Sequence, residues 1–182
     1  MSTNRLPPRS PANPYPHKIS SLVFIRNLQD ELLLIKREKA PNRGCWSPIG
    51  GKLDTNSGES PFECAARETA EETGFTVQTS DLHLFGYVAE KAYEGQSHWL
   101  MFLFRVIPPI DFTPVRMQEG TFSFFSRSAI NQIPIPPTDH QLVWPLWDEH
   151  RFGFIALRAD FRAGGAVCPI TEMILPGPLE TH

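Results

Sequence analysis

Residues 59–75 read Glu59-Ser60-Pro61-Phe62-Glu63-Cys64-Ala65-Ala66-Arg67-Glu68-Thr69-Ala70-Glu71-Glu72-Thr73-Gly74-Phe75. Ser60 suits an N-cap, Pro61 the first helical position, and Glu63 the reciprocal position of a capping box. Gly74 supplies the stop, because it takes the left-handed conformation after a last turn without strain. The stretch therefore predicts a helix over Pro61–Thr73. At 100° per residue Phe62, Ala65, Ala66, Thr69 and Thr73 share one arc, the buried face. Glu68, Glu71 and Glu72 fall on an adjoining arc, where Glu68 and Glu72 are i,i+4 neighbours. Arg67 stands i,i+4 from Glu71 and is placed to hold that carboxylate by paired hydrogen bonds. Like charges at this spacing cost an isolated helix about 0.2–0.5 kcal/mol per pair. Two readings are open: a solvated acidic face, or carboxylates gathered for a hard divalent cation such as Mg²⁺.

Outward from this helix the chain alternates short apolar runs with turn residues. Ile19–Arg26 and Glu31–Arg37 read as two strands of a hairpin about the polar break at 27–30. Phe75–Val77, Leu82–Ala89, Trp99–Ile107, Thr121–Phe125 and Phe152–Leu157 are further strand candidates. A second helix is expected within Asp139–Arg151, interrupted by Pro145. Many strands and two helices predict an α/β chain with a mixed central sheet flanked by helices.

The chain has 182 residues, the length of one ordinary domain. Seventeen basic against twenty acidic side chains leave no broad basic surface, which argues against nucleic acid as a partner. The 41% hydrophobic content supports a real core, yet no apolar run approaches the ~20 residues of a membrane helix. Three cysteines without metal-type spacing argue against a disulfide scaffold or zinc site. The beginning of the sequence lacks a signal-peptide pattern, so the expected location is the cytoplasm. Prolines crowd residues 1–16, which read as a disordered tail. Residues 163–182 read as a second, Gly- and Pro-containing tail, leaving a folded body over 17–162. Monomer and homodimer are both open.

Glu59, followed after seven residues by Arg67-Glu68-Thr69-Ala70-Glu71-Glu72-Thr73-Gly74-Phe75, resembles the Nudix box of the Nudix hydrolases. The likeness extends upstream through Trp46 and Gly50-Gly51-Lys52. It implies the Nudix α/β/α sandwich and hydrolysis of a nucleoside diphosphate linked to another group, by water attack on phosphorus. It implies Mg²⁺, with Mn²⁺ as an alternative, held by Glu68 and Glu72, with Glu71 as a further ligand. Arg67 would orient the carboxylates, and Glu59 would make a secondary metal or water contact. The Gly51 carbonyl matches a metal-contacting glycine, but seven residues separate Gly51 from Glu59 where the family usually has five. Glu119 stands where many relatives recruit one more acid as base or ligand; Glu90 and Glu94 compete for that role.

The layout from Trp46 to Trp147 looks like the branch that clears oxidised nucleoside triphosphates, and Tyr93 is spaced like a tyrosine of dinucleoside polyphosphate hydrolases. Asp139 stands at a place comparable to that first branch's base-reading acid, whereas Ser47 replaces its asparagine. Trp46, Tyr87, Phe124 and Trp144 can stack on a base or simply fill the core. Trp46, Ser47, Tyr87, Phe124 and Asp139 are the expected substrate contacts. From a different functional class comes a catalytically silent Nudix-fold nucleotide sensor, which would show decay of the acidic cluster.

Overall fold

The computed structural model describes residues 15–39, 42–111, 114, 120–163 and 166–177. Apart from Tyr15 and Pro16, the proline-rich segment expected over 1–16 lies outside them. Nine strands and four helices follow in the order β1 (His17–Phe24), β2 (Leu32–Arg37), β3 (Trp46–Ser47), β4 (Ile49–Lys52), α1 (Pro61–Thr73), β5 (Leu82–Tyr93), β6 (Ser97–Val106), β7 (Gly120–Phe125), α2 (Arg127–Ile130), α3 (Pro137–Gln141), α4 (Val143–His150), β8 (Phe154–Ala163) and β9 (Ala166–Leu175) among the described residues. Six strands form a mixed sheet in the order β4-β1-β6-β5-β8-β9, with parallel pairing only at β1–β6 and β5–β8. A three-stranded antiparallel sheet has the order β3-β2-β7.

Two apolar clusters cover the two faces of the large sheet. Val23, Ile25, Phe104 and Val106 meet Ala65 of α1 on one side. Phe24, Phe85, Val88 and Leu103 meet Trp144 and Trp147 of α4 on the other. The Phe24 ring stacks on Trp147 at 4.8 Å and meets Trp144 edge-on at 5.6 Å. The expected sandwich with a mixed sheet is what the chain forms.

Several elements depart from the sequence reading. The first two strands meet only around their turn, where Leu33 N–H donates to Ile25 O (2.9 Å), and then part into different sheets. Both runs are apolar on both faces, so each can be buried with different neighbours on either edge. Phe75–Val77 is no strand: Phe75 N–H donates to Thr73 Oγ1 (3.0 Å), and Val77 inserts into the core as a loop anchor. The second helix is two, α3 and α4, broken at Leu142. Pro145 falls in the first turn of α4, where no intrahelical donor is lost. Residues 166–175, read as tail, form β9 on the sheet edge, the place in a sheet that tolerates Pro169. Among the described residues no helix is long and apolar enough to cross a membrane.

Candidate active site

The capping signals fix where α1 begins and how it is rotated. Ser60 Oγ accepts from Glu63 N–H (3.2 Å), and the Glu63 carboxylate accepts from Ser60 N–H (2.7 Å). Gly74 closes the helix at φ 73°. Ala65, Thr69 and Thr73 turn inward, the two hydroxyls donating to the carbonyls one turn back at 2.7 and 2.6 Å. With that face buried, Arg67, Glu68 and Glu72 are directed toward β4 and its flanks.

Arg67 is the hub. Its Nε and Nη2 donate to the two oxygens of Glu59 (2.9 and 2.7 Å), while Nη1 donates to Glu68 (2.8 Å) and Glu71 (3.0 Å). Nη2 also reaches the Lys52 carbonyl at 3.1 Å. The paired bonds expected for Glu71 therefore go to Glu59, and exposed Glu71 receives one. The guanidinium holds Glu59 down at about 2, while burial pushes Glu68 up. The same electrostatics raises Arg67 itself, so it stays charged.

Glu68 and Glu72 meet the backbone of β4. Gly50 N–H donates to Glu72 Oε2 (3.2 Å). The Glu68 carboxylate lies against Gly51, filling the space a Cβ would occupy. The Gly51 carbonyl faces the same helix, accepting from Cys64 Sγ at 3.8 Å. Burial pushes the Cys64 thiol up to about 11, so it is a packing group and not a nucleophile. The two extra residues before Glu59 loop outward into solvent, pinned by Asn56 N–H to Asp54 Oδ1 (3.0 Å). They leave Gly51 in register with Glu68.

Among the described residues no three acidic, imidazole or thiol groups form a ready cation cage. The donor set nonetheless fits a hard cation of the Mg²⁺ type. Such an ion needs only one or two carboxylates and keeps waters and phosphate oxygens for its other positions. The bare Gly51 lets the Glu68 carboxylate lie against the backbone, which a side chain there would prevent.

On the other side of Gly50 and Gly51 lies a cavity of about 370 Å³. Its floor is one face of the large sheet: Lys18, Ser20 and Leu22 of β1, Trp99 and Met101 of β6, Lys52 of β4 and Glu90 of β5. Arg37, Ser47, Tyr93, Pro136, Thr138 and Asp139 close the rest. Burial pushes both Glu90 and Asp139 up to about 7, with Asp139 adding to the rise at Glu90 and Arg37 partly opposing the rise at Asp139.

The structure gathers some of the expected substrate contacts and separates others. Ser47 and Asp139 line the cavity, and Ser47 Oγ is buried without a partner. Trp46 instead packs edge-on against Phe125 at 4.8 Å. Phe124 joins the core on the α1 side. Tyr87 points to the face of β5 opposite Glu90 and reaches Glu172 at 3.4 Å. Trp144 is core. Glu119 lies outside the described residues, and Glu94 is exposed at a turn. Sequence reasoning missed Trp99 and Met101, and it set Glu90 in competition for a role at the metal, not in a cavity.

The sequence profile of the NUDIX domain matches residues 16–143. Among solved structures, the chain is similar to a Mutator MutT protein from Bacillus halodurans (22% identity, 85% of this chain and 97% of that one, TM-score 0.66). It is also similar to a MutT protein from Methanosarcina mazei Go1 (26%, 75% and 96%, TM-score 0.63). The fold recurs in the NUDIX domain of Shewanella oneidensis NrtR, solved with ADP ribose (17%, 82% and 98%, TM-score 0.58).

Proposed function

The chain belongs to the NUDIX domain family as a Nudix hydrolase, and from that membership we propose a metal-dependent pyrophosphohydrolase that cleaves a nucleoside diphosphate linked to a further group. The observation that carries the reading is the intact set of Glu68, Glu72 and Arg67 packed against Gly50-Gly51, with a ligand-sized cavity opening on the same two glycines. Glu68 and Glu72 would hold Mg²⁺ or Mn²⁺, with Glu71 as a further carboxylate within reach of Arg67. The bound cation supplies charge neutralisation at the diphosphate and a more acidic attacking water.

The chain's own residues do the positioning. Arg67 keeps Glu59 ionised and fixes the Glu68 carboxylate, so the acids need little rearrangement when charge arrives. Gly50 and Gly51 allow phosphate oxygens to approach the backbone closely. Lys18 and Lys52, both over the Trp99 ring at 5.0 and 5.9 Å, put positive charge in the cavity, Lys52 following Gly51 in the chain. The anionic end of a nucleotide belongs there, and its remaining group belongs in the cavity. We assign the protein a nucleotide substrate on these grounds. The sensor reading is disfavoured because no acid of the cluster has been replaced. Incubation of the protein with Mg²⁺ and a panel of diphosphate-linked nucleotides, read by chromatography, tests the proposal. Products split at the diphosphate are expected; binding without turnover of any member would convert the assignment to a sensor.

A further inference from the structure

The face of the large sheet that carries the cavity holds a second polar group at its other end. On β6, Arg105 stands six residues beyond cavity-lining Trp99, about 20 Å along the strand. The core of Phe24, Leu103, Trp144 and Trp147 fills the space between. Arg105 pairs in register with Phe24 of β1 and His83 of β5. Arg26 follows Phe24 by one alternation on the same face. His83 Nε2 donates to the Gly153 carbonyl (3.0 Å), which brings the end of α4, with Arg151 and Phe152, over this row.

The cations gathered here are short of counter-ions. The guanidiniums of Arg105 and Arg151 lie over the one Phe152 ring at 4.7 and 4.6 Å. No described residue accepts a hydrogen bond from the Arg105 guanidinium, and its Nε is buried without a partner. Arg151 donates to the Asp148 carbonyl (2.7 Å) but not to that carboxylate, which Arg127 holds through two bonds at 2.8 and 2.7 Å. Arg26 does have an acid, exposed Asp30 at 2.6 Å, yet its Nε is likewise buried and unpartnered. Burial lowers Arg105 from its ordinary value, and the charges of Arg26 and Arg151 lower it further. An arginine stem covering the end of the core explains one cation on Phe152. A second cation on the same ring adds repulsion that an anion would relieve. Buried donors left open in this way call for a missing partner.

We propose that Arg105 and Arg151, flanked by Arg26, form a second anion site, remote from the cavity, that takes a phosphate group, free or on a small ester. A guanidinium fork meets two oxygens of its ligand. A carboxylate has two oxygens and is used up by one fork, whereas a tetrahedral phosphate has enough for both arginines. Bound there, it ties the end of α4 to β6 across Phe152. The site goes beyond the hydrolase reading, because none of its residues lines the cavity or belongs to α1 or β4.

The test uses full-length protein in EDTA, so that no metal draws phosphate to the acids of α1. Inorganic phosphate, glycerol phosphate and acetate are titrated calorimetrically in KCl at about 150 mM, which screens loose surface attraction. Either phosphate should bind at least about tenfold tighter than acetate, and the tighter of the two names the source. Arg105→Gln and Arg151→Gln should each weaken phosphate binding by about 10- to 100-fold, the worth of a hydrogen bond to a charged group. Lys52→Gln, in the cavity, should leave that affinity within about threefold, and turnover of Arg105→Gln in phosphate-free buffer should stay within about twofold. Phosphate binding lost in Lys52→Gln and kept in Arg105→Gln would put the anion in the cavity and overturn the proposal. Wild type that binds neither phosphate, or binds acetate equally well, would overturn it without any variant. Should Arg105→Gln fail to fold, Arg151→Gln at the end of α4 decides.

Discussion

Two acidic regions lie on either side of Gly50-Gly51, and they are held in opposite ways. On the α1 side, Glu59, Glu68 and Glu71 share one guanidinium, and Glu72 has a backbone N–H. On the cavity side, burial raises both Glu90 and Asp139, with Asp139 adding to the rise at Glu90 and Arg37 and Thr138 partly opposing the rise at Asp139. The same chemical group is thus held well down at Glu59 and raised at Glu90 and Asp139. What differs is the partner: a cation and N–H donors favour the carboxylate, whereas desolvation favours the acid.

The sharpest way to break this contrast is to remove a carboxylate on the charged side. Glu72→Gln keeps the shape and the acceptor for Gly50 N–H, yet should cost two or more orders of magnitude in turnover, because an acid that places the cation and water is gone. Thermal melts with and without millimolar Mg²⁺ should show a smaller metal-dependent rise than in wild type. Near-normal turnover with an unchanged Mg²⁺ response would return the acidic arc to a solvated face.

Next in size is Gly51→Ala. Its new methyl would occupy the place of the Glu68 carboxylate, so activity should fall at least tenfold and stability by about 1–3 kcal/mol. Urea denaturation beside the turnover assay reads both; a silent variant would mean that Glu68 does not need the bare backbone.

The cavity side should reveal itself through pH. Glu90 rises from the ordinary 4.5 to about 7, so between those values the folded chain binds the extra proton and the unfolded chain does not. Stability must then fall as pH rises through that window and be recovered on acidification. The expected contribution is about 2 kcal/mol between pH 5 and 8, and Glu90→Gln should weaken the dependence, leaving the part that raised Asp139 supplies in the same window. A melting curve equally steep in both proteins would sink the assignment. The smallest effect is expected at Tyr87→Phe: the ring faces away from the cavity, so KM should move by less than about twofold.

The two regions also differed in how far the sequence revealed them. Helix α1 was legible because its cap, stop, buried stripe and acids are contiguous, and local geometry alone sets their relation. The cavity draws on β1, β4, β5, β6 and α3, and Tyr93 joins Glu90 there only through one inserted residue that reverses side-chain parity. Period-two reasoning puts Glu90 and Tyr93 on opposite faces, so nothing short of the register with β6 could unite them. Tyr87 stands on the other face from Glu90 by ordinary alternation, because the register with β6 is unbroken between them. Strand β9 escaped notice because Gly164, Gly165 and Pro169 read as tail, although an edge strand needs only one paired side.

The shared wall of Gly50 and Gly51 has a consequence for descent. One backbone strand separates the part that would cleave from the part that would choose. Residues such as Ser47, Glu90 and Asp139 can therefore be exchanged in a lineage while the acids of α1 and their arginine stay fixed. Selection can alter the diet of such an enzyme without reinventing its teeth.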